Sequence, residues 1–74
     1  MHRILPLASL QPGERAKIVR ITPELEPYLS GFGLYPGVEV YVRQRFPTYV
    51  VKCDETEVAI EANVASGVWV RRSG

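Results

Sequence analysis

The chain has 74 residues, of which 46% are hydrophobic and 23% are charged. A chain this short has room for one domain only, and its hydrophobic content excludes the low-hydrophobicity, high-charge composition of disordered proteins. Nine Lys and Arg against eight Asp and Glu give a net charge of +1, which argues against a protein whose affinity depends on neutralising many phosphates.

The sequence also indicates the cellular compartment. Cys53 is the only cysteine, so an internal disulfide cannot form. The N-terminal segment lacks the apolar run of a secretory signal, and no stretch approaches the roughly 20 apolar residues of a membrane helix. We therefore expect a soluble cytoplasmic protein that forms a single domain over residues 1–74.

Turn-forming Gly and Pro residues divide the chain into short apolar segments. Residues 16–21 are rich in β-branched side chains, and in residues 38–42 valines alternate with Glu39 and Tyr41. This period of two is typical of a strand with one face toward solvent. Similar segments follow at residues 49–53, 58–60 and 68–70. Five short strands predict a small, mainly β barrel.

One segment has helical spacing instead. Its apolar positions i, i+3, i+4 and i+7 are Leu25, Tyr28, Leu29 and Phe32. Proline is tolerated at the first helical position, so the helix should begin near residue 27. Gly33 should end it in the left-handed conformation, after which Leu34 follows the chain back into the core. The residues predicted to form structural turns are Gly13, Gly33, Pro36 and Gly37.

Three segments carry a family resemblance: residues 10–14 (Leu-Gln-Pro-Gly-Glu), residues 29–37 (Leu-Ser-Gly-Phe-Gly-Leu-Tyr-Pro-Gly) and residues 68–70 (Val-Trp-Val). Their order resembles the FeoA family of ferrous iron transport proteins, over about residues 7–71. The middle segment is the specific one, because a helix-closing glycine is followed closely by a Pro-Gly turn into an alternating strand. The sequence departs from the family at Phe32, where an aliphatic residue is usual, and at Gly31, a poor helix former.

The resemblance implies a fold and a function. The fold would be a five-stranded SH3-like barrel with one short helix between the first two strands. The function would be that of a small cytosolic accessory protein, which binds the cytoplasmic region of the membrane GTPase FeoB and regulates ferrous iron uptake by protein contact. It would reach the membrane only through that transporter.

Two other functions stay open. The C-terminal module of DtxR-type repressors resembles the same domain shape, which makes a transition-metal-responsive regulatory domain the first alternative. A small RNA-binding barrel is the second, if the basic side chains share one face. Interleaved acidic residues (Glu14, Glu39 and Glu61) favour a mixed surface instead, so we expect no nucleic-acid partner.

The residues needed for catalysis or for a dedicated metal site are scarce. We expect His2 to be solvated in a terminal segment, and Cys53 to serve as a small core residue rather than a reactive thiol. Asp54, Glu55 and Glu57 are expected to form a hydrated hairpin tip. We therefore predict no enzymatic activity, no bound cofactor and no metal site within one chain; a weak ferrous iron site shared between subunits stays open.

Aromatic side chains give the clearest indication of a binding surface. Strand alternation sends Tyr41 and Trp69 outward, and Tyr28, Leu34 and Tyr35 are expected near the surface edge of the helix and its following turn. These residues are the predicted partner-binding site, since exposed aromatic residues are enriched at binding hot spots. Alternatively, Tyr41 and Trp69 form a cross-strand pair that only stabilises the sheet. An exposed sheet edge could also pair two copies as a homodimer.

Overall fold

The computed structural model describes residues 3–73. Within them the chain forms six strands: β1 (Ile4–Pro6), β2 (Arg15–Ile21), β3 (Glu39–Gln44), β4 (Tyr49–Cys53), β5 (Thr56–Ile60) and β6 (Val68–Arg72). Two short helices, α1 (Glu26–Ser30) and α2 (Ala62–Ala65), and two 3-10 turns, Leu7–Ser9 and Pro23–Leu25, connect them. None of the helices described is long and apolar enough to cross a membrane.

All the strands belong to one antiparallel sheet in the order β1-β6-β2-β3-β4-β5. The sheet bends so that its two ends approach each other. Arg45 Nη2, beyond the end of β3, donates a hydrogen bond to the carbonyl oxygen of Ala8 at 3.1 Å, and the hydroxyl of Tyr49 lies 3.4 Å from the same oxygen. These contacts join β4 to the turn that follows β1.

The predicted fold class is confirmed, and the five predicted strands are β2 to β6. The strand β1 was not predicted, because three residues are too few to show alternation. It exists through its pairing with β6, in which Pro6 lies opposite Trp69. The predicted helix consequently lies between the second and third strands of the structure, and α2 is an additional single helical turn.

The α1 helix ends as the sequence predicts. Pro27 lies in its first turn, and Gly33 has φ +84°. The backbone N–H of Gly33 donates to the Ser30 carbonyl and that of Leu34 to the Leu29 carbonyl, both at 3.0 Å. This pair of bonds is a Schellman motif, which places Leu29 and Leu34 together in the core. Gly13 and Gly37 also have positive φ angles, at +94° and +99°, as expected for their turns.

The core lies inside the bent sheet and follows the strand alternation. Inward side chains of β3 and β4, such as Val40, Val42 and Val51, are at most 1% exposed. In β2 the alternation is interrupted, because Ile18 pairs with Val70 but Arg20, not residue 19, pairs with Trp69. Val19 is therefore the extra residue of a β-bulge, an insertion that changes which side chains face outward beyond it.

Candidate protein-binding surface

An open groove of about 820 Å³ lies between the outer face of β3 and β4 and the turn that follows α1. Aromatic side chains line it from two separate elements. Phe32 and Tyr35 come from the turn, and Tyr41 comes from β3. We call this surface, defined by these three rings, the aromatic groove. Its shape is concave and open, which is suited to a protein segment rather than to an enclosed small molecule.

The Schellman motif explains why two of the rings stand in the groove. The chain reverses at Gly33 and buries Leu34, so the side chains on either side of this pair, Phe32 and Tyr35, remain outside the core. They are 47% and 52% exposed. Tyr28, one helical turn before Phe32, is 49% exposed, and its ring meets that of Phe32 edge to face, with centroids 5.3 Å apart. Tyr28 thereby extends the aromatic groove along the helix.

Charged side chains of both signs surround the rings. Arg15 extends over the Tyr41 ring, with its guanidinium carbon 5.7 Å from the ring centroid. Glu39, Lys52 and Asp54 also line the groove. Aromatic centres with a charged rim are the usual composition of a protein interface, since the rings provide buried area and the charges orient the partner.

Cys53 lies at the edge of the groove, but it belongs to the core. It is 9% exposed, and its sulfur lies 3.8 Å from the carbonyl oxygen of Gly33. Burial raises the pKa of the Cys53 thiol, and the charge of Asp54 raises it further. A thiol with a raised pKa is a poor nucleophile, which agrees with the prediction that Cys53 packs as a small hydrophobic residue.

Two of the five predicted partner-binding residues, Tyr35 and Tyr41, line the aromatic groove, and a third, Tyr28, lies beside it in contact with Phe32. Leu34 returns to the core as the helix end predicts and is only 1% exposed. The expectation that it also lies near the surface edge and contacts a partner is therefore wrong. Trp69 faces outward as predicted, yet it is half-buried on β6 and does not line the groove.

The cross-strand alternative for Tyr41 and Trp69 is also wrong, since β2 separates β3 from β6. Each aromatic residue instead lies opposite an arginine of β2: Tyr41 pairs with Arg15, and Trp69 with Arg20. Sequence reasoning missed Phe32 as a groove residue. Its helical spacing suggested core packing, although its position directly before the predicted helix-closing glycine could have indicated a surface position.

The acidic hairpin between β4 and β5 is an exposed turn. Asp54 and Glu55 form its tip, and Asp54 has φ +55°. The Glu57 carboxylate accepts a hydrogen bond of 2.7 Å from the Arg43 guanidinium. Across residues 3–73, no group of three or more His, Cys, Asp or Glu side chains is arranged to hold a metal ion. His2 lies outside the described residues.

Comparison with known proteins identifies the family. The chain resembles, in fold, a crystal structure of the iron uptake regulatory protein FeoA, with a TM-score of 0.89, 25% identity and coverage of 96% of this chain and 99% of that one. It is also similar to iron(II) transport protein A from Clostridium thermocellum, with a TM-score of 0.85, 29% identity and coverage of 95% and 46%.

The chain is also similar to IdeR from T. acidophilum, with a TM-score of 0.87 and 26% identity. The match covers 95% of this chain but only 34% of the IdeR chain. No curated protein sequence matches at a significant level. The family model of the FeoA domain matches residues 5–72. This match covers nearly the whole chain, and the chain therefore belongs to the FeoA domain family.

Proposed function

We propose that this protein is a cytoplasmic accessory component of ferrous iron uptake, which binds the cytoplasmic region of the membrane GTPase FeoB through the aromatic groove. Membership of the FeoA family and likeness to FeoA structures support the broader role in ferrous iron transport. The more specific proposal concerns the partner and the surface that contacts it. Regulation would follow from protein contact alone, with no chemical step on this chain.

The observation that carries the proposal is the cluster of half-exposed aromatic rings. Tyr28, Phe32, Tyr35 and Tyr41 are between 36% and 52% exposed, although the chain is small and buries most of its other large hydrophobic side chains. Keeping such rings in water forgoes burial worth about 1.5–3 kcal/mol for each side chain fully covered. Aromatic residues gathered at a concave surface are the usual centre of a protein interface.

The groove is built on rigid parts of the fold. Tyr41 projects from a central strand, and the turn carrying Phe32 and Tyr35 is fixed by the backbone bonds of the Schellman motif. A preformed surface loses little conformational entropy on binding, so a larger part of the contact energy appears as affinity. The charges of Arg15, Lys52 and Asp54 around it would set the orientation of the partner.

The test is binding to full-length FeoB of the same organism in nanodiscs, measured by biolayer interferometry. Tyr35→Ala and Phe32→Ala should each weaken binding by about tenfold, because truncating a hot-spot aromatic costs more than about 1 kcal/mol. Phe46→Ala is the matched control: Phe46 is 88% exposed but lies outside the groove. Equal losses for all three variants, or no loss for the two groove variants, would contradict the assignment of this surface.

A second candidate is a regulatory domain that recognises its partner only with ferrous iron. The likeness in fold to IdeR and to a manganese-dependent transcriptional repressor supports it. The same binding measurement, made under anaerobic conditions with and without ferrous iron, distinguishes the accessory protein from the iron-dependent regulatory domain. Affinity that is unchanged by iron supports the accessory role, whereas binding only in the presence of iron supports the regulatory domain.

Self-association is a separate proposal. The strand β5 is an end strand of the sheet, with β4 as its only neighbour among the strands described. Two copies could pair along this edge, because its outer backbone groups are available for ladder hydrogen bonds. Light scattering across a concentration series tests it: a mass of two chains that falls to one on dilution supports the homodimer, and a constant mass of one chain contradicts it.

A further inference from the structure

A second surface of the protein concentrates positive charge. On the outer face of the sheet, Arg15, Lys17 and Arg20 of β2 lie beside Arg71 of β6, with Lys17 and Arg71 directly opposite each other. All four side chains are exposed. We call these four residues the basic face. Only Arg15 is shared with the aromatic groove.

The β-bulge at Val19 creates this face. In a regular strand, Arg15 and Lys17 would point outward and residue 20 inward, because side chains alternate with a period of two. The bulge inserts one residue between Ile18 and Arg20, so Arg20 points outward as well and Ile21 takes the next buried position. Bulges of this kind re-aim side chains and are frequent near functional sites.

Aromatic rings hold two of the guanidinium groups in place. The Arg20 guanidinium carbon lies 5.3 Å from the centroid of the Trp69 ring, and that of Arg15 lies 5.7 Å from the Tyr41 ring. A guanidinium stacked on a ring keeps its N–H donors free while losing part of its side-chain freedom. Such a group is already arranged for a carboxylate, which it can bind through two parallel hydrogen bonds.

The basic face has no ion-pair partner among the described residues. The two ion pairs found in residues 3–73 are Arg43 with Glu57 and Arg72 with Glu14, each at 2.7 Å. Neither pair includes a residue of the basic face, and within the same range no side-chain hydrogen bond is made by these four residues. Glu39 lies opposite Lys17 in the sheet but forms no ion pair with it. In the part of the chain that the structure describes, the four cations are therefore not neutralised by a direct ion pair, and Glu39 is the carboxylate that lies opposite one of them.

We propose that the basic face binds an acidic segment of a partner protein in an extended conformation. Arg15 and Lys17 lie two residues apart on one strand, about 7 Å, which is also the spacing of side chains i and i+2 on one side of an extended peptide. Glutamate or aspartate at alternate positions would meet these charges in register. Binding here can be tested separately from FeoB binding at the groove, because Lys17, Arg20 and Arg71 lie outside the groove lining and only Arg15 is shared.

An acidic polypeptide fits this surface better than a nucleic acid. Nucleic-acid affinity depends largely on how many phosphates are neutralised, about 6–10 in strongly salt-dependent complexes, whereas the basic face has four cations and the net charge of the whole chain is +1. A short acidic segment with a few carboxylates matches the number and spacing of the cations. A uridine oligonucleotide of the same length as the peptide tests the nucleic-acid alternative.

Trp69 provides a local readout, because it is the only tryptophan in the chain and lies under Arg20. The probe is a synthetic peptide of alternating Glu and Thr, about eight residues long, titrated into the full chain at about 0.15 M salt while Trp69 fluorescence is followed. We expect saturable binding. Arg20→Gln and Lys17→Gln should each raise Kd about fivefold, and Arg20→Lys should give an intermediate increase because it keeps the charge but loses the planar donor group.

The matched control is Arg43→Gln, which removes the same unit of charge from an arginine already paired with Glu57. Circular dichroism confirms that each variant is folded, and isothermal calorimetry supplies Kd where a substitution alters the fluorescence itself. Three results would overturn the proposal: no saturation with the wild-type chain, an equal loss for Arg43→Gln, or a uridine oligonucleotide of the same length that binds more tightly than the peptide.

Discussion

Two glycines two residues apart should respond to alanine in opposite directions. Gly31 has φ −62° and ψ −21°, the right-handed helical region that alanine prefers. Gly33 has φ +84°, where an L side chain is strained. The substitution Gly31→Ala therefore removes freedom from the unfolded chain without straining the native one, whereas Gly33→Ala strains the turn that positions the aromatic groove.

The change in the free energy of unfolding at each glycine depends on the atoms that surround it and on its backbone conformation. A Cβ at Gly31 would lie 3.4 Å from the Tyr28 carbonyl oxygen, an ordinary contact, so Gly31→Ala should raise the free energy of unfolding by about 0.4–1 kcal/mol. A Cβ at Gly33 would have no atom within 4 Å, so no collision contributes. The left-handed conformation costs alanine about 1–2 kcal/mol. Alanine also restricts the unfolded chain, which offsets a smaller part of this cost, so Gly33→Ala should lower the free energy of unfolding by about 1 kcal/mol.

Thermal unfolding followed by circular dichroism measures both effects. For a domain of this size about 1 kcal/mol corresponds to a shift of about 4–8 °C in Tm, so Gly33→Ala should lower Tm by about that amount and Gly31→Ala should raise it. Gly33→Asn should recover part of the loss, since asparagine tolerates the left-handed region. If Gly33→Ala is neutral, or if both alanine variants shift Tm in the same direction, the Schellman assignment is refuted.

Three further predictions concern other parts of the molecule. Gly67→Ala should destabilise the fold by about 1 kcal/mol in urea unfolding, because its Cβ would lie 2.7 Å from Cδ1 of Leu25 and 3.0 Å from Oγ1 of Thr22, whose hydroxyl is held by its hydrogen bond to the Gly67 carbonyl. An unchanged free energy of unfolding would contradict this prediction. Burial raises the pKa of the Cys53 thiol. A thiol reagent at pH 8 should therefore label the folded chain at least about tenfold more slowly than the urea-unfolded chain. Comparable labelling rates would contradict the position of Cys53 in the core. The pKa of Glu14 is lowered mainly by a hydrogen bond from Arg72 and secondly by one from the Gln11 backbone N–H, so the stability contributed by this ionised carboxylate is lost as pH falls. The substitution Arg72→Gln should therefore raise the pKa of Glu14, as measured by NMR titration. An unchanged pKa would contradict the contact between Arg72 and Glu14.

Local patterns in the sequence were sufficient to predict most of the fold. The alternation of residues 38–42 predicted the inner and outer faces of β3, and the Gly33 and Pro36-Gly37 signals predicted the end of α1 and the following turn. These features depend on short-range preferences, which a sequence displays directly. The strand β1 depends on pairing with β6, far away in the chain, and no short-range signal reveals it.

The candidate site was predicted only in part, for a related reason. Tyr35 and Tyr41 were identified because turn and strand patterns predict which side chains face outward. The helix-ending glycine correctly predicted that Leu34 returns to the core, and only its inclusion among the contact residues was wrong, because the Schellman motif buries the residue after its glycine. The outward position of Arg20 follows from the bulge in β2, and strict alternation would have predicted the opposite face.

The proposed binding of FeoB through the aromatic groove can be measured by isothermal calorimetry. The full chain is titrated into FeoB of the same organism in nanodiscs, with and without ferrous iron, and the titration is repeated with Tyr35→Ala. We predict a Kd of about 10⁻⁶ M that is independent of iron and increases about tenfold for the variant. The absence of binding in both conditions, or an affinity that Tyr35→Ala leaves unchanged, would contradict binding of FeoB at this groove.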